Sequence, residues 1–90
     1  MAFVVICIDK DNYLEKRLNS REEHLNYLKN IQKKLILAGP ILDDNKNPKG
    51  SILVLDFKEI DELKVFLKQD PYSKIGLFKE TKIFNFKKVL

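Results

Sequence analysis

The sequence predicts an α+β fold of the ferredoxin-like βαββαβ plan, an antiparallel four-stranded sheet with helices on one face, and three observations predict it. Short runs rich in β-branched and aliphatic residues, Ala2 to Asp9 and Ser51 to Phe57, read as strands. A third run, Lys79 to Phe86, alternates Thr81, Ile83 and Asn85 against Lys82, Phe84 and Phe86. Between these lie two stretches whose apolar residues recur at three- and four-residue spacing, the mark of amphipathic helices.

Taken in order, Ala2 to Asp9 is a buried central strand and Lys10 to Asn19 a polar loop. Ser20-Arg21-Glu22-Glu23 matches a capping box, so a helix is expected from Ser20 to about Ile36, with Leu25, Leu28, Ile31 and Leu35 inward. Arg17 then falls outside the helix. His24, four residues before Leu28, stands on or beside the inward face, one turn above the core. Ala38-Gly39-Pro40 ends this region, Gly39 supplying the positive φ of a helix stop. Pro40 to Leu42 is a short extended segment, and Asp43 to Gly50 carries turn residues. Ser51 to Phe57 is the next strand, and Glu59 to Lys68 a helix with Leu63, Phe66 and Leu67 inward. Pro71 suits the first position of a short helix, with Asp70 as its cap and Gly76 closing the turn. Lys79 to Phe86 completes the sheet.

A chain of 90 residues makes one domain, residues 1–90, with a modest core. Apolar residues point both ways in the first two clear strands. The sheet face away from the helices is therefore expected to be covered, most simply by a second copy in a homodimer. The net charge of +4 comes from lysines dispersed among acidic residues, as in Lys58-Glu59-Ile60-Asp61-Glu62. That pattern reads as a solvated surface, not as a nucleic-acid interface, although loose polyanion binding is compatible with it. A lone Cys7 and a lone His24 form no metal-ligand cluster, and no residue pattern calls for a cofactor. No run has the length of a membrane span or the pattern of a signal peptide, so a cytoplasmic protein with no membrane partner is expected.

The ordered set Arg17, Arg21-Glu22-Glu23-His24-Leu25, Ala38-Gly39-Pro40, Gly50-Ser51, Asp70-Pro71-Tyr72, Gly76-Leu77 and Phe86-Lys87-Lys88-Val89 spans nearly the whole chain. In these residues the chain resembles the YciI-like (YCII-related) family. The resemblance implies a dimeric α/β-barrel of ferredoxin-like protomers, similar to the muconolactone isomerase-like proteins. It also implies chemistry centred on a His–Asp pair, which falls here on His24 and Asp70.

The residues carry their own reading beside this. A neutral imidazole is a competent general base near neutral pH, and Asp70 could fix its tautomer. With Ser20 as cap, His24 would feel the positive helix end and Arg21, opposed by Glu23 and Asp70. The plainer alternative is a histidine hydrogen-bonded at the helix–sheet boundary, with Asp70 simply capping. Arg17 and Arg21 either clamp a carboxylate or phenolate or pair with Glu15, Glu22 or Glu23 on the surface. Ser51 binds a ligand or sits in a strand-edge turn, and Tyr72 walls a pocket or packs under the short helix.

The expected function is cofactor-independent acid–base chemistry (isomerisation, elimination or a lyase-type reaction) on a small cyclic or aromatic compound. His24 and Asp70 would be catalytic, and Arg17, Arg21, Ser51 and Tyr72 substrate-binding. A non-catalytic module that binds a small ligand or anion in the same pocket is the second reading, and a bare dimerisation domain the third.

Overall fold

Strand β1, Ala2–Asp9, runs through the middle of the sheet, and its alternation sets the two faces of the molecule. The computed structural model describes residues 2–90. Phe3, Val5, Cys7 and Asp9 are buried toward the helices, whereas Val4, Ile6 and Ile8 are only partly covered on the opposite face. The chain continues through α1 (Leu14–Lys29), a single 3₁₀ turn (Gln32–Lys34), β2 (Leu35–Leu42), β3 (Pro48–Leu55), α2 (Ile60–Gln69), α3 (Pro71–Lys74) and β4 (Phe78–Phe86). The sheet is antiparallel throughout, in the order β2-β3-β1-β4, and the helices cover one face. This is the ferredoxin-like arrangement the sequence predicts.

The core lies between the helices and the sheet. Phe3, Val5 and Cys7 of β1 meet Leu53 and Leu55 of β3, Leu28 of α1, and Leu63 and Phe66 of α2. Gly50 marks the tightest approach of β3 to β1: a Cβ there would lie 2.3 Å from the carbonyl oxygen of Cys7. Any side chain would force the two strands apart.

Four sequence expectations are corrected. The helix begins at Leu14, not at Ser20, so Lys10 to Asn19 is mostly helical and Ser20 lies inside α1. Its start is set by Asn12, whose φ of 65° breaks the strand path, and by Tyr13, which makes no side-chain cap bond. Arg17 is therefore a helical residue, and His24 stands mid-helix, away from the N-terminal charge. The helix ends at Lys29, and β2 begins at Leu35, because Leu35 pairs with Leu55 and extends the sheet edge well before Pro40. Gly39 sits within β2, opposite Ile52, and is not a helix stop. The positive-φ glycine is Gly76, at 67°, where α3 turns back into β4. The second clear strand ends at Leu55, two residues before Phe57, which turns into the core.

Candidate active site

Asp70 ends α2 in an extended conformation (φ −61°, ψ 132°) imposed by the following proline, and this aims its carboxylate at two neighbours. Oδ1 accepts the backbone N–H of Tyr72 at 2.9 Å, capping α3, with Pro71 at the first helical position. The same carboxylate meets His24 Nδ1, at 2.8 Å from Oδ1 and 3.0 Å from Oδ2. Both side chains are buried, 7% exposed for His24 and 3% for Asp70. The cap and the histidine partner, alternatives in the sequence, are one carboxylate performing both tasks.

An ionised carboxylate only accepts, so Nδ1 carries the hydrogen and the lone pair of the neutral imidazole rests on Nε2. Nε2 makes no hydrogen bond among the described residues. No buried side-chain nitrogen or oxygen there lacks a partner, so Nε2 is open to solvent. The ring is clamped from the side by Tyr72, whose ring stacks on it at 3.9 Å between centroids and 12° between planes. Tyr72 thus both packs beneath α3 and walls the site. Burial pushes its phenol up from the usual value, and the nearby Arg17 and Arg21 oppose that shift.

Arg17 underpins the arrangement. It is 3% exposed on α1, a little under two turns before His24. Nε and Nη2 donate to the two oxygens of Asp9 at 2.6 and 2.9 Å, and Nη2 also donates to Ser51 Oγ at 2.9 Å. The guanidinium lies 4.6 Å from the Tyr72 ring centroid, a cation–π contact. Surface pairing with Glu15, Glu22 or Glu23 is not what the side chain does: it turns inward to the carboxylate at the end of β1. Arg21, one turn on, remains exposed. Ser51 is not a turn residue but lies inside β3, buried and opposite Cys7.

Two clefts meet at His24. The larger, about 460 Å³, opens beneath α2, with Cys7, Ser51, Leu53, Phe78 and Ile83 among its walls. Lys64 and Lys68 stand at its rim. The smaller, about 170 Å³, lies between α1 and the β2–β3 edge, lined by Arg17, Arg21, Leu25, Gly39, Pro40 and Tyr72. His24, Ser51 and Leu53 belong to both. The floor of the larger cleft is a polar row, since Ser51 pairs with Cys7 and Cys7 with Thr81 across three strands. Burial raises the Cys7 thiol to about 11, only partly offset by the Thr81 hydroxyl that donates to it, so the thiol stays protonated near neutral pH. Among the described residues, no group of three or more His, Cys, Asp or Glu could hold a metal ion, and no helix is long and apolar enough to cross a membrane.

Sequence reasoning passed over Asp9 and the cleft floor. Asp9 carries the same odd-numbered parity as Val5 and Cys7, so a charge on the buried face of β1 was the available signal. Thr81 shows only through strand register, which the sequence does not print.

The YCII-related domain model matches residues 1–87. The chain belongs to the YCII-related family. It is 38% identical over 98 residues to an uncharacterized protein of Haemophilus influenzae, covering 99% of each chain. It is 31% identical over 97 residues to protein YciI of Escherichia coli, again covering 99% of each. The fold superposes with a TM-score of 0.90 on 5-chloro-2-hydroxyhydroquinone dehydrochlorinase from Burkholderia phenoliruptrix, whose structure holds 2,5-dihydroxybenzoquinone. That pair shares 32% identity over 97% of this chain and 94% of the other. Small-molecule chemistry is thus present among solved relatives of this YCII-related chain.

Proposed function

We propose that this YCII-related protein is an enzyme acting on a small cyclic or aromatic compound by acid–base chemistry, with His24 as the proton-transferring group and Asp70 as its orienter. The observation that carries this reading is the state of the imidazole. Nδ1 is fixed by a buried carboxylate, one ring face is covered by Tyr72, and Nε2 is left free where two clefts meet.

The larger cleft supplies an apolar slot for a ring, walled by Leu53, Phe78 and Ile83. Nε2 takes a proton from ring carbon or hydroxyl, and the electron pair of that bond moves into the ring system. The imidazolium so formed keeps its Nδ1–H on Asp70, which stabilises the new charge. The proton then returns to a different atom, giving isomerisation, or a leaving group departs with its bonding pair, giving elimination. Loss of HCl from 5-chloro-2-hydroxyhydroquinone, the reaction named for the Burkholderia relative, is of the second kind.

Following chloride release from that compound tests the proposal. Wild-type protein is expected to release chloride above the uncatalysed background, and His24→Asn to fall to background with an unchanged melting temperature. A His24→Asn protein as active as wild type refutes the role of His24.

The working unit in this reading is a homodimer. Leu37, Ile52, Phe84 and Phe86 form exposed apolar ground on the sheet face that no helix covers, and a second copy presents the same surface in return.

A further inference from the structure

The guanidinium of Arg17 has one nitrogen left over. Nε and Nη2 are occupied by Asp9 and Ser51, while Nη1 has no acceptor among the described residues. No side-chain nitrogen or oxygen there is both unpartnered and sealed from solvent. Arg17 is nine-tenths buried and lines the smaller cleft, so Nη1 meets that cleft. Arg21 lines it from the next turn of α1. Ser51 lines it too, and its hydroxyl oxygen already accepts from Arg17, which leaves the hydroxyl hydrogen free to point at a ligand. Asp9 offsets one of the two positive charges, and the other is unopposed within the cleft. The other ionisable side chains among its walls are His24 and the Tyr72 phenol, which burial holds above its ordinary value, and no carboxylate is among them.

We infer that the smaller cleft is an oxyanion subsite, holding the oxygen of a small ring compound that becomes charged as the proton leaves: a conjugated carbonyl that turns into a phenolate or an enolate. The inference deepens the acid–base reading and rests on it for the reaction. As Nε2 takes the proton, the electron pair of the broken bond travels through the ring onto the conjugated carbonyl oxygen seated here, which becomes the enolate or phenolate, and the charge settles against Arg17 Nη1, the Ser51 hydroxyl and Arg21. Nothing is oxidised or reduced. The substrate class narrows accordingly to compounds with a ring carbonyl, or the keto form of a ring phenol, conjugated to the carbon or hydroxyl that loses the proton. Preorganised donors of this kind stabilise charge strongly where water is largely excluded.

The test uses 4-nitrophenol, whose ionisation is read from its visible absorbance with protein in excess. Bound to wild-type protein, the dye is expected to ionise about one pH unit lower than free dye, a roughly tenfold preference for the phenolate. The neutral ether 4-nitroanisole is expected to bind about tenfold more weakly than the phenolate. Arg17→Ala would strand the buried Asp9, so Arg21→Gln and Ser51→Ala are the informative changes. Each is expected to lose at least half of the shift while melting within a few degrees of wild type. Absence of binding, a dye that ionises at its free pH, or a shift retained in both variants overturns the subsite. His24→Asn separates the two proposals. A shift that vanishes only in His24→Asn traces to the imidazole and overturns the subsite. Turnover that survives in His24→Asn, with the shift still following Arg21 and Ser51, overturns the acid–base reading alone.

Discussion

The ring of Tyr72 lies flat on the ring of His24, 3.9 Å away and 12° from parallel, while its own backbone N–H caps onto the carboxylate that holds His24 Nδ1. One residue thus fixes the imidazole through its face and, by way of Asp70, through its edge. Tyr72→Phe retains the stack and is expected to stay within about 1 kcal/mol of wild-type stability. Tyr72→Ala removes a buried aromatic and is expected to cost about 3–5 kcal/mol in urea unfolding. In the folded fraction, the His24 ring protons should also lose their upfield ring-current shift by NMR. If Tyr72→Ala leaves those resonances where they were, the stack is not what holds the imidazole.

Asp70 separates capping from chemistry. Asparagine is as good an N-cap as aspartate, and its side-chain oxygen still accepts from Tyr72 or from Nδ1, but it brings no charge to stabilise an imidazolium. Asp70→Asn is expected to unfold within about 1 kcal/mol of wild type and to lose most turnover. Asp70→Ala, lacking both acceptors, is expected to lose about 2–4 kcal/mol, a cap plus an orphaned buried ring nitrogen. Equal activity in Asp70→Asn and wild type would leave Asp70 as a cap alone.

The Arg17–Asp9 pair has the opposite energetic character to the ion pairs on the surface. Its side chains are 4% and 5% exposed, with bonds of 2.6 and 2.9 Å. Removing one partner strands the other charge in the interior, and Asp9→Ala is expected to cost about 3–5 kcal/mol. The Lys79–Asp11 pair is 3.9 Å long and exposed at both ends, so Asp11→Ala should change stability by less than about 1 kcal/mol. Urea denaturation of the two variants side by side checks the contrast. A mild Asp9→Ala would mean that Arg17 finds water or another acceptor.

Arg17, His24 and Asp70 explain why the fold was more legible in the sequence than the site. The strands announce themselves because Val5, Leu53 and Ile83 are apolar where the pleat requires it. The helix α1 does not, because two of its three buried positions are Arg17 and His24. An amphipathic pattern written in polar residues escapes a search for apolar spacing, and the capping-box residues at Ser20 then supply a false start. The Asp70–Pro71–Tyr72 turn was readable because proline fixes local geometry wherever it occurs. Its meeting with His24 was not, since forty-six positions separate the two and only the packing of α1 on α3 closes the gap.

Cys7 gives the site a pH signature independent of turnover. Burial raises its thiol from 9.0 to about 11, so between those values the folded chain keeps a proton that the unfolded chain releases. Stability from this source is full below pH 9 and drains away as pH rises toward 11. Cys7→Ala removes the titration. The urea midpoint of wild type is therefore expected to fall further than that of Cys7→Ala between pH 8 and about 10.5. Parallel curves would place the thiol at its ordinary value and, with it, water against the cleft floor.

The uncovered sheet face makes the remaining prediction. Leu37 is 53% exposed, Ile52 37%, Phe84 50% and Phe86 38%, and strand register puts all four on the side away from the helices. Lys82 and Glu80 of β4 share that face, so opposite charges accompany the apolar ground. A surface carrying both signs can match itself under two-fold symmetry, which a surface of one sign cannot. Light scattering at micromolar concentration is expected to give twice the chain mass for wild type. Phe84→Asp and Ile52→Lys place charge at the centre of the apolar patch and should each yield monomers that keep wild-type secondary structure by circular dichroism. Neither residue lines the clefts at His24, so dye binding by these monomers reports whether the site is complete within one chain. A wild-type monomer by scattering would sink the dimer and leave the apolar face to another partner.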